Sequence, residues 1–265
     1  MHAPSERWTR GDAYESYIGR WSRLVARELV DWLRVAPGAE WLDVGCGTGA
    51  LAATILDRAA AARVRAVDAS PAYVAHARDR LADRRALLAA ADARALPFAA
   101  ASADAVVSGL VLNFVPQPAR MVAELRRVAR DGATVSAYVW DYADGMQLLR
   151  HFWDAAVALD PAAAALDEGA RFPLCRPDAL AAAWRDAGLA DVATRALEVP
   201  TRFRDHDDLW APFLAGEGPA PGYVASLAPA ARERLRERLL ATLPVGPDGA
   251  IALVARAWAV RGVRR

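Results

Sequence analysis

Between about residue 40 and residue 140, short apolar runs alternate with stretches whose apolar residues recur at helical spacing. The run Trp41-Leu42-Asp43-Val44-Gly45 predicts a strand, and 50–58 a helix. A second strand is expected over 63–68. The next helix should open at Ser70-Pro71, since Ser is a good N-cap and Pro a good first helical residue. A weaker strand is expected over 86–91 and a fourth over 103–108. Residues 118–130 read as an amphipathic helix with Met121, Leu125 and Val128 on one face. Asp131-Gly132 then turns the chain into a fifth strand over 133–139. Strands alternating with helices imply a parallel sheet covered on both faces.

After Trp140 the rhythm breaks. Helices are expected over 146–159 and 178–187, the second stopped by Gly188, and a sixth strand over 192–199. Residues 200–247 read as a Pro/Gly-punctuated, mainly helical insertion, with 213–223 as a loop, before a last strand over 251–260. The expected layout is one domain: an N-terminal helical segment (1–39), a nucleotide-binding core (40–140), helical insertions with one core helix and strand (141–247), and a final core strand (248–265).

Composition alters this picture little. A chain of 265 residues with 55% hydrophobic and 25% charged residues is ordinary for a globular protein. All 33 basic side chains are Arg, which excludes lysine Schiff-base and lysine general-base chemistry. The net charge is +1, and the densest charge run, 232–238, mixes signs at helical spacing, so a solvated face is favoured over an anion site. Only Cys46 and Cys175 are present, too few for a disulfide framework or a zinc site, and no metal is expected. Residues 1–20 lack an apolar leader, and no apolar run reaches the roughly 20 residues of a membrane span. A cytoplasmic protein with neither membrane nor nucleic-acid partners is expected.

The chemistry concentrates in Leu42-Asp43-Val44-Gly45-Cys46-Gly47-Thr48-Gly49. Gly45 and Gly47 let a strand turn straight into a helix while a ligand lies against backbone, and Gly49 lets that helix pack closely. The helix N-terminus offers unpaired N–H groups nearby. The spacing G-x-G-x-G differs from the dinucleotide fingerprint. Asp43, inside the strand, can order the loop and face a cationic ligand end, where pyrophosphate would be repelled. Asp68 ends the second strand at the spacing where a carboxylate reaches both ribose hydroxyls of a nucleoside. Asp92, ending the third, either holds an adenine amino group or caps a short helix.

Residues 40–140 resemble the Rossmann-like class I methyltransferases, particularly the branch that includes the ubiquinone and menaquinone biosynthesis enzymes. The resemblance lies in LDVGCGTG, VDAS, ADARALPF, ADAVVSGLVLNFVPQP and ELRRVARDGATV, in order and at family spacing. It implies S-adenosylmethionine held by Gly45, Gly47 and Gly49, with Cys46 and Ala69 alongside, ribose on Asp68, and adenine near Asp92 and Ala93. It implies a seven-stranded, mostly parallel sheet in the order 3-2-1-4-5-7-6 with the last strand antiparallel, helices on both faces and a helical cap. Family members often carry Gly-Gly before the fifth strand, where this chain has Gly132-Ala133. In similar members the N-terminal segment folds over the cofactor, so Arg20 is a candidate for the cofactor carboxylate and Tyr17 or Trp21 for walling off the sulfonium; a helix packed on the sheet edge is the competing reading.

The implied activity is methyl transfer to an O or N, less readily a C, of a small molecule, with S-adenosylhomocysteine as product. Asn113, at the end of the fourth strand, is a candidate for orienting cofactor or substrate, or a turn residue. The segment lacks the tetrapeptide by which many base-amine methyltransferases hold a flipped base. His151 is the best-placed candidate base, against the plainer reading of a helix histidine without function. Trp140, Tyr142, Trp153, Phe172, Trp210 and Phe213 are candidate walls of an aromatic acceptor pocket, although core packing explains each equally well. Three rivals remain: an RNA or protein methyltransferase, which needs a basic groove; a relative that binds S-adenosylmethionine without transferring methyl; and an NAD(P) oxidoreductase, disfavoured by the loop spacing and Asp43.

Overall fold

The strands of the computed structural model are β1 (Glu40–Val44), β2 (Arg63–Asp68), β3 (Ala86–Ala90), β4 (Ala103–Gly109), β5 (Ala129–Trp140), β6 (Ala190–Phe203) and β7 (Ile251–Val263). They form one sheet in the order β3-β2-β1-β4-β5-β7-β6. The pairings β1–β2, β1–β4, β2–β3 and β4–β5 are parallel, and β5–β7 is antiparallel. Helices are α1 (Arg20–Leu33), α2 (Ala50–Arg58), α3 (Pro71–Arg80), α4 (Pro118–Val128), α5 (Gln147–Leu159), α6 (Glu168–Arg171), α7 (Pro177–Asp186), α8 (His206–Trp210), α9 (Pro219–Ser226) and α10 (Pro229–Leu240). The structure describes residues 19–214 and 218–265. Among them no helix is long and apolar enough to cross a membrane.

The chain divides into two compact units. The core unit is Ser22–Trp140, Leu174–Leu197 and Ala257–Arg265; among the described residues, the second unit is 19–21, Asp141–Pro173, 198–214 and 218–256. Most of α1, from Ser22, groups with the core unit.

In the core unit, period-two alternation along β1 sends Leu42 and Val44 into one cluster with Val67, Val106, Val135 and Val139. Met121, Val122, Leu125 and Val128 of α4, and Leu180 and Trp184 of α7, close over that face. Each such side chain contributes about 1.5–3 kcal/mol by leaving water. The Trp184 indole also donates to the Val135 carbonyl at 3.0 Å. Trp41 and Asp43 alternate to the opposite face. Parallel register, with Val44 beside Val67 and Asp43 beside Val107, aligns the C-terminal ends of β1, β2 and β4 along one edge.

β5, β6 and β7 run longer than expected, β7 continuing to Val263. β5 begins at Ala129 rather than after an Asp131-Gly132 turn; Gly132 (φ +81°) lies inside it, where the pairing with β4 slips between Ala103 and Ala105. The Gly132 N–H donates to the Arg264 carbonyl at 2.8 Å, so the bend is held within the sheet. β6 extends through Pro200, which sequence reasoning had assigned to the insertion. It is an edge strand and Pro200 is exposed, so the missing N–H costs no ladder bond.

In the second unit, α5 buries Leu148, Leu149, Phe152, Trp153, Ala155 and Ala156. Phe152 stacks on Phe213 with centroids 4.6 Å apart and planes 13° from parallel, and Trp153 leans on Tyr223 at 5.8 Å. The expected 213–223 loop is in part helical: Phe213 lies in a 3-10 turn and α9 starts at Pro219.

Candidate functional site

The glycine loop follows β1 directly. Gly45 has φ +78°, and a Cβ there would lie 2.7 Å from both γ-carbons of Val111, so only glycine fits. Gly47, at φ +50°, has nothing within 4 Å of where its Cβ would be, which leaves that side of the loop open. Gly49 (φ +86°) caps α2. The Gly45 and Cys46 amides donate to the Val67 carbonyl at 2.7 and 2.9 Å, tying the loop to the tip of β2.

The ordering role expected of Asp43 falls instead to Asp68. Its carboxylate accepts from Gly47 N–H at 2.9 Å and from Ser70 N–H at 2.8 Å, binding glycine loop and strand tip together. Burial raises the Asp68 pKa, and the two amide hydrogen bonds oppose that rise. Asp43 is fully buried, and neither carboxylate oxygen has a hydrogen-bond partner among the described residues. Burial pushes its pKa up to about 7, the Asp68 charge adds to the rise, and the Ala52 amide exerts only a lesser, opposing pull. An acid that is buried and unpartnered is costly unless a ligand completes it. This loop, with an open side, a tethered carboxylate and an orphaned one, fits a cationic nucleoside.

Cys46 contributes no nucleophile. Its thiol pKa is raised first by burial, then by Asp43 and Asp68. Ala69 is exposed beside Asp68. The Ala91 amide donates to the Asp68 carbonyl at 2.9 Å, which brings the β3 end, with Asp92 and Ala93, next to that strand tip. Asp92 is exposed and forked by Arg94 (3.0 and 2.7 Å), and its oxygen also accepts the Arg94 amide at 2.8 Å. The Arg94 hydrogen bonds hold Asp92 down at about 2. No helix follows Asp92 for it to cap, and an adenine amine would have to share the carboxylate with Arg94.

Beyond β4 the backbone is strained. Leu110 adopts φ +62°, a conformation that costs a non-glycine residue about 1–3 kcal/mol. It leads through Val111, which packs over Gly45, into the 3-10 turn Leu112–Phe114. Both polar atoms of the Asn113 carboxamide, and the Ser108 hydroxyl, are buried without partners among the described residues. Sequence reasoning singled out Asn113 but missed Ser108, Leu110 and Val111. Nothing in their residue types announces strain or closeness to a loop some 65 positions earlier.

The other candidates lie mostly in the second unit. Arg20 sits between the Trp21 and Phe203 rings (4.8 and 4.5 Å) and reaches Asp208 at 3.4 Å, while its Nε and Nη2 are buried without partners among the described residues. Tyr17 lies outside the described residues. The aromatic candidates are buried among one another or in the sheet. Trp153 and Phe213 are fully buried, Trp210 tilts against Phe213 at 5.7 Å, and Tyr142 meets Phe172 at 5.6 Å. Trp140, which ends β5 in the core unit, is buried too. Ring contacts cover Tyr142, Trp153, Phe172, Trp210 and Phe213. His151 opens instead onto a groove of mixed polar and apolar lining, with burial lowering its pKa and Asp154 opposing that. Glu168, which no periodicity marks, accepts a hydrogen bond from the Trp153 indole and is pushed up to about 7 by burial.

A family model described as a methyltransferase domain matches residues 42–137. The ubiquinone/menaquinone biosynthesis C-methyltransferase UbiE of Paracoccus denitrificans is 37% identical over 115 residues, 42% of this chain and 46% of that protein. The chain thus spans about half the length of that relative. A demethylmenaquinone methyltransferase of Roseiflexus sp. (strain RS-1) is 34% identical over 169 residues, 58% of this chain and 69% of that protein. Among solved structures, the Haemonchus contortus phosphoethanolamine N-methyltransferase 2, in complex with phosphomonomethylethanolamine and S-adenosylhomocysteine, superposes with a TM-score of 0.59 at 18% identity, covering 96% of this chain and 56% of that one. At that identity the likeness is one of fold.

Proposed function

Because this chain belongs to the class I S-adenosylmethionine-dependent methyltransferase family, we propose that it transfers a methyl group from S-adenosylmethionine to a small-molecule acceptor. The observation that carries the reading is the pair of neighbouring carboxylates, Asp68 tethered to the glycine loop and Asp43 buried with no partner. When bound, the cofactor supplies an electrophilic methyl on a positively charged sulfur. Gly45, Gly47 and Gly49 let the backbone approach the ligand, Asp68 receives the ribose hydroxyls, and Asp43 offers uncompensated negative charge to a cation. Asp92 and Ala93 flank the adenine, and Cys46 and Ala69 serve as backbone and packing. Arg20, in the second unit, keeps Nε and Nη2 without partners among the described residues, an edge suited to a carboxylate.

Asn113 has a donor and an acceptor both unpaired, which suits it to orient an acceptor group. A nucleophile that arrives already deprotonated, or as a neutral amine, needs only alignment and exclusion of water. A poorly acidic hydroxyl needs a base as well. The names of the relatives specify carbon in one case and nitrogen in another, so family membership leaves the acceptor atom open.

Two measurements test this. Thermal unfolding should shift upward with S-adenosylmethionine or S-adenosylhomocysteine and not with NAD, because a ligand that binds only the folded state stabilises it. Asp68→Ala should weaken S-adenosylhomocysteine binding about ten-fold or more, as each lost hydrogen bond to a charged group is worth roughly 1.5–3 kcal/mol. Cofactor binding with no S-adenosylhomocysteine released from S-adenosylmethionine across a broad acceptor panel would instead leave a binding protein without transfer.

A further inference from the structure

The second unit contains a groove of about 330 Å³ that the cofactor reading does not use. One wall is a polar stripe of α5, Gln147, Arg150, His151 and Asp154, spaced so that all four share a helix face. Thr242, Pro244 and Leu253 form the other. The Gln147 side-chain Oε1 accepts from the Val254 amide at 2.7 Å.

Charge in the groove is not balanced. Both terminal nitrogens of Arg150 pair with Asp167, at 2.9 and 2.5 Å, so that positive charge is cancelled. Asp154 makes no ion pair or hydrogen bond of its own among the described residues. The His151 tautomer follows from its neighbours. The Thr242 hydroxyl donates to the Leu239 carbonyl at 2.8 Å, so toward His151 it can only accept. Nδ1, 3.4 Å from that oxygen, therefore carries the hydrogen, and Nε2 keeps its lone pair. Burial lowers the proton affinity of His151, although Asp154 works the other way. Two acceptors, one anionic and one neutral, thus stand three residues apart beside an apolar floor, with no uncancelled cation to meet an anion.

We propose that this groove binds a small organic ammonium, whose N–H groups reach the Asp154 carboxylate and the His151 Nε2 while its apolar body lies on Pro244 and Leu253. The inference concerns binding alone and does not depend on the methyl-transfer reading. A carboxylate in the same place would face Asp154, and a neutral alcohol would forgo the charge.

The probe is benzylamine, protonated at neutral pH, with benzoate and benzyl alcohol of similar shape as controls. Binding to the full chain is followed by the side-chain ¹⁵N resonances of His151. Benzylamine should shift the Nε2 signal in the millimolar range expected of a fragment in an open groove, and added salt should weaken it. Asp154→Asn, on the exposed face of α5, should weaken binding about three-fold while leaving thermal unfolding unchanged, as befits a partly exposed charge pair. His151→Phe should lower benzylamine affinity about three-fold or more by calorimetric titration, while the variant still shows the wild-type stabilisation by S-adenosylhomocysteine. Equal binding of benzoate or benzyl alcohol, a silent His151 signal, or full affinity in Asp154→Asn overturns the inference.

Discussion

Two buried acids, one in each unit, are pushed to the same place by the same force and end in opposite circumstances. Asp43 in the core unit and Glu168 in the second unit both titrate near 7 because burial disfavours their charge. Glu168 accepts a hydrogen bond from the Trp153 indole and stands among packed rings. Asp43 has no partner among the described residues and lies behind a glycine loop with an open side. Desolvation alone does not mark a site; desolvation without compensation does. The comparison separates an acid that serves the fold from one that awaits a ligand.

The sharpest way to break that contrast is at the loop itself. Gly45→Ala should abolish S-adenosylhomocysteine binding and destabilise the protein by about 2–5 kcal/mol, since a left-handed alanine and an overpacked Val111 each cost roughly 1–3 kcal/mol. Urea unfolding together with calorimetric titration reads both. A variant that still binds tightly would show that the loop is not the cradle.

The acids themselves come next. An unfolded Asp titrates near 3.8, whereas folded Asp43 does so near 7. Between those values the folded chain retains a proton that the unfolded chain has released. Stability is therefore greatest below 3.8 and declines as pH rises toward 7, by up to about 4 kcal/mol from this residue. Asp43→Asn should flatten that decline, raise stability at pH 8 relative to wild type, and weaken S-adenosylmethionine binding. Denaturation at pH 5 and pH 8 measures the slope.

Glu168→Gln should flatten the same decline by less, up to about 3 kcal/mol, because its folded value is near 7 against an ordinary 4.5. The amide oxygen still accepts from Trp153, so cofactor affinity should not change. If both variants lose affinity equally, the distinction between the two acids fails. The smallest effect is expected at Gly222 of α9, where an added Cβ meets nothing within 4 Å. Gly222→Ala should leave cofactor binding intact and stabilise by up to about 1 kcal/mol, which thermal unfolding can resolve.

Much of the core unit was legible because its signals are local. The helix over 50–58 and the strand over 63–68 match α2 and β2 residue for residue, since apolar period and caps reside in adjacent positions. The candidate site was legible in part. Glycine spacing pointed to the loop and strand ends to Asp68, yet which carboxylate holds the loop depends on how β2 lies beside β1. The groove at His151 was less accessible still, because Thr242 comes 91 positions later and its hydroxyl sets the tautomer.

The amino-acid order by itself determined the alternation of strand and helix, the glycine turn and the absence of lysine chemistry, all properties of neighbours along the chain. Tertiary structure alone decided that Asp43 is left without a partner among the described residues while Glu168 is satisfied, that Phe152 stacks on Phe213, and that Leu110 is strained. Those outcomes rest on which atoms meet across long sequence separations, and burial, hydrogen bonding and charge act through distance in space rather than position in the chain.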